Sequence, residues 1–581
     1  MQLMNSIKAF LASTASVLIL AGAGLVAAGQ SASAQDVHHL SAPHAGGIPG
    51  IPVMTGIEHA TNGFKVTWDG PSGYYRLFQA LGLQNAQWQS VGTPSLNQEA
   101  IVSNVFGSAF FRVSGPSPRY AGSATCVECH SDTHASWMST EHATAFTNAT
   151  FVALGGQTNS SCLACHTVGY GAPTGFSSAT NTLSANWLAG VQCEDCHGPA
   201  ANHAANPADP TIRPRVEVAA TLCGGCHNAK LIPASVAQYH PPFFEDWSLS
   251  AHHEVLPDLK EDFEGSRGPT VYIPTCGRCH SGAVREAHLE NDPLPDGAEA
   301  AAIGITCATC HDPHEQQVFS NTVAGISYTK QLRNPLASFQ DYHTTGDFST
   351  NYNASINVCA QCHNDRGAAW TDSSRPPHHS PQYNMLLGTV GVLPVGVTGG
   401  PATHAGASFV EDSMGKMYLV TNQCVTCHMQ QNETVAATGH KFVVDRYDAC
   451  AGCHGSAGNA QGLKTLVRGL ITSEIQQVKG LLDNWATNQA PTEIQSYGTL
   501  AWEYDNAGEL SNPDGDPTIR GPRSNSNPAM DEQKYIPDNI KKARFDLYIV
   551  LHDGSYGVHN GPYAFTLLNA ARDWVQAELN Q

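Results

Sequence analysis

The residues of this chain best suited to chemistry are cysteine pairs in the pattern Cys-x-x-Cys-His. Two thiols and an imidazole at this spacing are the attachment signature of a c-type haem, whose iron takes the histidine on one face. The pattern occurs nine times and uses all 18 cysteines. Motifs 1 to 9 contain the pairs Cys126/Cys129, Cys162/Cys165, Cys193/Cys196, Cys223/Cys226, Cys276/Cys279, Cys307/Cys310, Cys359/Cys362, Cys424/Cys427 and Cys450/Cys453. Their histidines are His130, His166, His197, His227, His280, His311, His363, His428 and His454.

Other uses of Cys-x-x-Cys are zinc knuckles, thioredoxin-like redox sites and disulfides. None of these requires a histidine after every second cysteine. We therefore expect nine covalently attached haem c groups, each with its motif histidine as the first axial ligand of the iron.

Motif 6 continues into a second histidine, His314. It follows His311 after a turn at Pro313 and so lies on the same side of that haem. It cannot easily reach round the ring to the opposite face. We therefore expect His314 to bind the iron of a different haem, so that this segment ties two haems together.

Nineteen of the 28 histidines remain once the nine motif histidines are set aside. A histidine in a soluble protein is usually a surface or satisfied core residue, so each candidate needs its own argument. The predicted second ligands are His142, His203, His252, His314, His378, His404, His440 and His559. His379 is an alternative to His378. The candidates for the ninth place are His343, His288, His240, His253 and His134.

An internal repeat supports two of these ligands. The segments Trp137–His142 and Trp247–His252 each place a histidine five residues after a tryptophan, which predicts a short helix carrying an axial ligand. The run Gly190–Cys193 before motif 3 parallels Gly304–Cys307 before motif 6, and each lies 31 residues beyond the preceding motif. Motifs 1–3 and 4–6 therefore resemble two copies of one three-haem unit.

The chain begins with a predicted export signal at 1–34. Lys8 supplies a positive charge, an Ala/Leu/Val-rich run follows, and Ala32–Ala34 is a small-residue cleavage site. A retained membrane anchor is the alternative, but no second apolar span follows. We expect an exported protein, periplasmic or at the cell surface, with no membrane span after the signal is removed.

Residues 35–50 read as a flexible lead and 51–118 as a small all-β module. In the module, short aromatic and β-branched runs alternate with Gly, Asn and Pro, which indicates a sandwich-like fold. The nine-haem domain is predicted at 119–455. The remaining residues, 456–581, show three helical patterns at about 461–487, 538–552 and 562–579. We expect these helices to pack on the last haems in preference to forming a bundle of their own.

Composition sets further bounds. Only 13% of residues are charged, and 54 Gly and 34 Pro predict a mainly α, loop-rich fold organised around stacked haems. The formal net charge of -20 makes nucleic acid and anionic membranes poor partners. A redox partner protein, a mineral or a small-molecule electron acceptor fits better, although the acidity also serves solubility.

The chain resembles the multihaem c-type cytochrome superfamily, which includes the tetrahaem cytochrome c of ammonia oxidisers, pentahaem nitrite reductase, octahaem hydroxylamine oxidoreductase and tetrathionate reductase, and nonahaem cell-surface cytochromes. The segments that carry the resemblance are Trp137–His142, Cys162–Tyr170, Cys193–Pro199, Cys307–His314, Thr438–Phe442 and Asp553–His559. The resemblance covers about residues 119–581. It implies closely packed haem pairs wrapped by short helices, and long C-terminal helices that form homo-oligomers in some members.

The departures from this superfamily bear on function. Its nitrite and tetrathionate reductases bind the catalytic haem through Cys-x-x-Cys-Lys, whereas all nine motifs here end in histidine. Iron bound by two histidines has no vacant position, which favours one-electron transfer by an electron carrier. One alternative is a multi-electron oxidoreductase of a small nitrogen or sulfur compound with one five-coordinate haem. Another is a subunit of a cytochrome filament. No catalytic residue is assigned.

Overall fold

The computed structural model describes residues 19–21, 53–60, 63–69, 75–80, 89–95, 99–103, 109–114, 119–172, 174–177, 188–216, 218–315, 317–321, 326–333, 358–405, 410–411, 417–418, 423–430, 439–506 and 527–580. The chain divides into two compact units. Unit 1 comprises Met1–His240 with Asp312–Gln316, and unit 2 comprises Pro241–His311 with Gln317–Gln581. The predicted flexible lead, 35–50, lies outside the described residues.

The strands are β1 Ile19–Ala21, β2 Val53–Ala60, β3 Gly63–Asp69, β4 Tyr75–Ala80, β5 Gln89–Ser95, β6 Glu99–Ser103, β7 Ala109–Ser114, β8 Gln317–Asn321, β9 Ile326–Lys330, β10 Val410–Glu411 and β11 Met417–Tyr418. In unit 1 they form two antiparallel sheets, in the orders β1-β7-β4-β5 and β2-β3-β6. The pairs β8-β9 and β10-β11 are separate two-stranded ribbons of unit 2. Strand β1 lies within the predicted export signal, which remains a prediction.

The two larger sheets share one hydrophobic core. Alternate residues of each strand face it, as the period of two in a β-strand requires. Its buried side chains are Met54, Val66, Trp68, Tyr75, Leu77, Val102, Phe111 and Val113. The predicted small N-terminal sheet region is confirmed.

The α-helices are α1 Ser123–Cys126, α2 Ser131–Trp137, α3 Glu141–Thr144, α4 Ala149–Ala153, α5 Ser160–His166, α6 Cys193–His197, α7 Ala201–Ala205, α8 Ala220–Gly224, α9 Phe243–Ser248, α10 Pro257–Glu264, α11 Ile273–His280, α12 Gly282–Glu290, α13 Ala298–Ala301, α14 Cys307–Cys310, α15 Gln382–Leu387, α16 Gln423–His428, α17 Ala451–His454, α18 Ala457–Asn488, α19 Asp538–Asp553 and α20 Gly561–Leu579. Short 3-10 helices lie between them, including Ala234–Tyr239, Ala251–His253 and Thr403–Ala405.

Helices α1 to α17 have at most nine residues each, too few to be stable alone in water. They are held by caps and by contacts with distant segments. Helix α6, for example, begins with a capping box in which Gln192 and Asp195 satisfy each other's backbone N–H groups. The predicted mainly helical, loop-rich fold is confirmed at this level.

The three C-terminal helices, α18 to α20, pack on one another. Their shared core contains Ile471, Ile475, Val478, Leu482, Trp485, Ile540, Tyr548, Leu567 and Val575. Trp502 and Tyr504, from the turn-rich connection between α18 and α19, complete it. The helices therefore form a bundle of their own, which the sequence analysis had set aside. Met385 and Val390, near α15, also join this core.

This core predicts a contrast between two leucines of α18. Leu482 is fully buried, whereas Leu466 is 58% exposed. Leu482→Ala should lower the free energy of unfolding by about 2–5 kcal/mol because it leaves a cavity, and Leu466→Ala should change it by less than about 0.5 kcal/mol. Denaturant unfolding followed by the helical circular dichroism signal measures both. Equal effects would contradict the bundle described here.

Candidate haem-binding sites

Each motif is built on a single helical turn. The backbone N–H of the motif histidine donates to the carbonyl of the first cysteine, for example from His130 to Cys126 at 2.9 Å and from His227 to Cys223 at 2.8 Å. A turn of this kind brings residues three and four apart onto one face. Both thiols and the imidazole therefore point the same way. None of the 18 cysteines forms a disulfide, so every thiol is available for a thioether bond.

Two of the predicted haem-binding cysteines differ from the others in their burial. Cys129 of motif 1 and Cys453 of motif 9 are exposed, whereas the other 16 cysteines are half-buried. A haem site enclosed on all sides would bury both of its thiols, so the structure does not show an enclosed position for these two. They belong to the first and the last motif, at the two ends of the haem-binding sequence. Exposure does not prevent a thioether bond, but the assignment of Cys129 and Cys453 rests on their motifs alone and stays a prediction.

The motif histidines of unit 1 face second histidines from distant parts of the unit. His197 lies 5.9 Å from His314 between ring centroids, with the rings 6° from parallel. His227 lies 6.0 Å from His142. The ring of His166, by contrast, lies 6.4 Å from His240.

Unit 2 contains five more pairs of the same kind. The pairs are His280–His378 at 6.1 Å, His311–His440 at 6.1 Å, His252–His363 at 6.3 Å, His428–His559 at 6.2 Å and His404–His454 at 6.1 Å between ring centroids. Each joins one motif histidine to one histidine outside the motifs. Seven of the eight predicted second ligands therefore face a motif histidine in one unit or the other.

The spacing of these pairs fits one metal ion between two imidazoles. A metal bonded at about 2 Å to one ring nitrogen on each side separates the ring centroids by roughly 6 Å. The eight observed distances run from 5.9 to 6.4 Å. By contrast, the neighbouring rings of His378 and His379 lie 4.1 Å apart. The facing pairs, with the free thiols beside them, fit covalently bound haem c.

Backbone carbonyls fix which ring nitrogen is free to bind a metal. The Nδ1 atom of His166 lies 2.9 Å from Ala145 O, and that of His197 lies 2.7 Å from Arg215 O. His311 and His428 make the same contact with carbonyls of their own unit, at 3.0 and 3.2 Å. Because a carbonyl only accepts, Nδ1 carries the proton and Nε2 keeps its lone pair for a metal.

Burial keeps these imidazoles neutral. It lowers the pKa of His252 and of His280 to about 4, with a smaller contribution from neighbouring histidines. It also lowers the pKa of His142 and of His166. A neutral imidazole is the form that binds a metal.

The internal repeat appears as a repeated contact. The indole N–H of Trp137 donates to Val191 O at 3.1 Å, and that of Trp247 donates to Ile305 O at 2.8 Å. Each acceptor lies two residues before a motif. The tryptophan thereby anchors the segment that carries His142 or His252 against the motif that follows in the repeat.

A glycine makes this approach possible in both copies. A Cβ atom at Gly190 would lie 2.9 Å from Ala143 O, and one at Gly304 would lie 2.6 Å from His252 O. Real Cβ atoms do not come this close to a backbone oxygen, and Gly190 also has a positive φ of 89°. Glycine therefore lets the motif lie directly against the backbone of the second histidine.

One facing partner, His240, was only one of five competing candidates in the sequence. The repeat could have identified it. His240 lies between motifs 4 and 5 and faces motif 2, while His378 lies between motifs 7 and 8 and faces motif 5. The same three-motif shift relates His142, which faces motif 4, to His252, which faces motif 7.

Motif 5 has two candidate partners. The ring of His379 lies 6.2 Å from that of His280, almost as near as His378. All three histidines can direct ring nitrogens to within 4.8 Å of one another. His378 also lines a cavity of about 700 Å³ that contains Arg278, Arg366 and Arg375. The alternative between His378 and His379 stays open.

Motif 1 differs from the rest. Among the described residues, His130 is the motif histidine whose ring faces no second imidazole. The predicted ligand His203 lies on α7, and its buried Nδ1 has no hydrogen-bond partner. Ala201 N donates to Arg119 O at 3.0 Å, and the Glu194 carboxylate accepts from Gly122 N at 2.8 Å and from Ala200 N at 2.7 Å. The helix of His203 is therefore pinned to the segment that leads into motif 1.

Comparison with protein families adds a match over part of this region. The family model for cytochrome c554 and c-prime matches residues 125–198, which include motifs 1 to 3. The chain belongs to the multihaem c-type cytochromes. The cytochrome therefore binds haem c covalently, and electron transfer is its general function.

Comparison with curated protein sequences finds no match. Among solved structures, the cytochrome is similar to the outer cell wall cytochrome OcwA, with 18% identity and a TM-score of 0.48 over 79% of this chain and 100% of that one. It is also similar to an undecahaem cytochrome from the S-layer of Carboxydothermus ferrireducens, with 19% identity and a TM-score of 0.45 over 80% of this chain and 70% of that one. A cytochrome c nitrite reductase from Desulfovibrio desulfuricans matches at 15% identity and a TM-score of 0.27, over 53% of this chain and 65% of that one.

One second ligand of the cytochrome has a carboxylate partner. His559 Nδ1 lies 2.6 Å from Asp553 Oδ1, and the Asp553 side chain is 1% exposed. Burial opposes protonation, but the charge and hydrogen bond of Asp553 together raise the pKa of His559. A carboxylate that accepts from Nδ1–H makes the other ring nitrogen a stronger metal donor. A stronger donor stabilises the ferric state.

Asp553→Asn should therefore raise the midpoint potential of one haem, by about 59 mV for a tenfold loss of ferric preference. Asp445→Asn is the matched control, since Asp445 is 49% exposed and pairs with Lys441 at 3.7 Å. It removes the same charge and should leave all midpoints within error. Potentiometric titration measures both variants. An unchanged titration for Asp553→Asn would show that this contact does not tune a haem.

Proposed function

We propose that this cytochrome is an exported electron carrier with nine covalently attached haems. Each iron is held between a motif histidine and one of His142, His203, His240, His252, His314, His378, His404, His440 and His559. His240 joins the set predicted from sequence, and His379 is the alternative to His378. The bound haems supply one-electron chemistry.

The observation that carries this proposal is the set of eight facing imidazole pairs, all within 5.9–6.4 Å. Iron with two histidines has no open position for a substrate, so electrons enter and leave without a bond to the donor or acceptor. A protein of this kind needs partners that come near a haem edge. The net charge of -20 favours a basic redox protein, a mineral surface or a small-molecule acceptor.

Export is proposed from the N-terminal segment, where an apolar run follows Lys8 and ends at Ala32–Ala34. Respiratory transfer in the periplasm or at the cell surface suits such a protein. No helix of the described residues is long and apolar enough to cross a membrane.

Motif 1 decides between the carrier and a second function. If His203 did not bind the first iron, that haem would be five-coordinate and open to a small nitrogen or sulfur compound. The packing of α7 against the segment before motif 1 favours His203 as the ligand.

The facing pairs predict the effect of removing one second ligand. His240→Ala should leave one haem five-coordinate, so the oxidised protein should gain a high-spin ferric signal of one haem. His253→Ala is the matched control because the His253 ring faces Trp247 and its Nδ1 contacts Ser250 O at 2.6 Å. Electron paramagnetic resonance measures both. A low-spin spectrum from His240→Ala would remove His240 from the ligand set.

His203→Ala tests motif 1 in the same way. We expect a new high-spin signal of one haem. If the unaltered protein already has that signal and His203→Ala does not change it, the first haem is open and the oxidoreductase takes the place of the carrier.

A further inference from the structure

Thiol contacts map which motifs are neighbours, because each sulfur is bonded to the edge of its own haem. In unit 2, the thiol of Cys359 makes a side-chain hydrogen bond with that of Cys424, which belongs to motif 8. The other thiol of motif 7, Cys362, makes one with Cys279 of motif 5. Cys310 of motif 6 interacts electrostatically with both Cys359 and Cys362. Motif 7 therefore adjoins three other motifs.

The histidines give an independent set of contacts with the same pattern. His363 of motif 7 interacts electrostatically with His280 of motif 5. It also interacts with His428 and with the facing His559 at motif 8. The sulfurs bond to the edge of a haem, whereas the imidazole binds at its centre. Their agreement places motif 7 among its neighbours through both its edge and its axial ligand.

Motif 8 extends this map in one direction. Its second thiol, Cys427, interacts with Cys450 of motif 9. Its first thiol, Cys424, contacts Cys359. Among the described residues, the neighbours of motif 8 by thiol contact are thus motifs 7 and 9. Motifs 9, 8 and 7 form a line that divides at motif 7.

We infer that the seventh haem is a junction, through which electrons from the ninth and eighth haems pass before they divide between the fifth and sixth. This inference rests on the proposed electron-carrier function. It assigns Cys359 and Cys362 a role beyond attachment, because their positions set three routes at once. Loss of this one haem should disconnect the eighth and ninth haems from the fifth and sixth.

The test injects electrons at one end of the line. Leu463 is 45% exposed and lies nine residues after His454. Leu463→Cys introduces a thiol that carries no haem, to which a ruthenium photoreductant can be attached. Two variants of this labelled protein each lack one haem: Cys359→Ala/Cys362→Ala lacks the seventh, and Cys276→Ala/Cys279→Ala lacks the fifth. Mass spectrometry must find eight haems in each.

Flash photolysis in dilute solution then measures how many haems are reduced in the fast, intramolecular phase. Without the seventh haem, the fast phase should saturate at two haems, the ninth and eighth. Without the fifth, it should include at least four. Fast reduction of more than two haems in the first variant would overturn the junction. Absence of a fast phase in the labelled parent would contradict the carrier function itself.

If the variant lacking the seventh haem does not accumulate, His252→Met keeps that haem in place. Methionine in place of the second histidine raises its potential, so it becomes a trap on the proposed route. Freeze-quench paramagnetic resonance after one flash should show the first electron on the methionine-ligated haem. Reduction of the fifth or sixth haem before it would also overturn the junction.

Discussion

The structure depends on one interaction, the bonding of two imidazoles from distant parts of a unit to one iron. A motif supplies the first imidazole from a single helical turn, but the second comes from far along the chain, as His440 does for His311. The thioether bonds fix a haem to its motif, and the second imidazole fixes it to another segment. Each haem therefore crosslinks two parts of the fold.

This constraint explains why most of the protein has so little ordinary core. The helices of the haem-binding segments are too short to be stable alone, and the hydrophobic clusters around them are small, such as that of Val255, Phe263, Ile273, Val284 and Ala301. Covalent and coordinate bonds replace apolar burial there, as disulfides do in small secreted domains. The C-terminal bundle is the exception, since α18 to α20 bury a full core of their own. That bundle also offers a rigid base for His559 at the start of α20.

Several elements could be predicted from the sequence because local patterns determine them. The motif cysteines and histidines need only one turn of chain, and the helical period at about 461–487 corresponds closely to α18, Ala457–Asn488. The turn at Pro313 was enough to direct His314 away from its own haem, and its ring faces His197. The repeat of a tryptophan and a histidine led to His142 and His252. Other elements needed three dimensions. His240 could not be separated from four other histidines, since only its position opposite His166 distinguishes it. The exposure of Cys129 and Cys453 could not be predicted either, because their motifs are locally the same as the seven with half-buried thiols. The helix bundle was set aside because Trp502 and Tyr504, which complete its core, lie in a segment without helical period.

The central claim is that each of the nine haems has a histidine on both faces of its iron. The most direct measurement is the electron paramagnetic resonance spectrum of the oxidised, unaltered protein, with signal intensities integrated against its iron content. We predict nine irons per chain and low-spin ferric signals from bis-histidine haems alone. Fewer irons, or a high-spin component equal to one haem or more, would contradict this account.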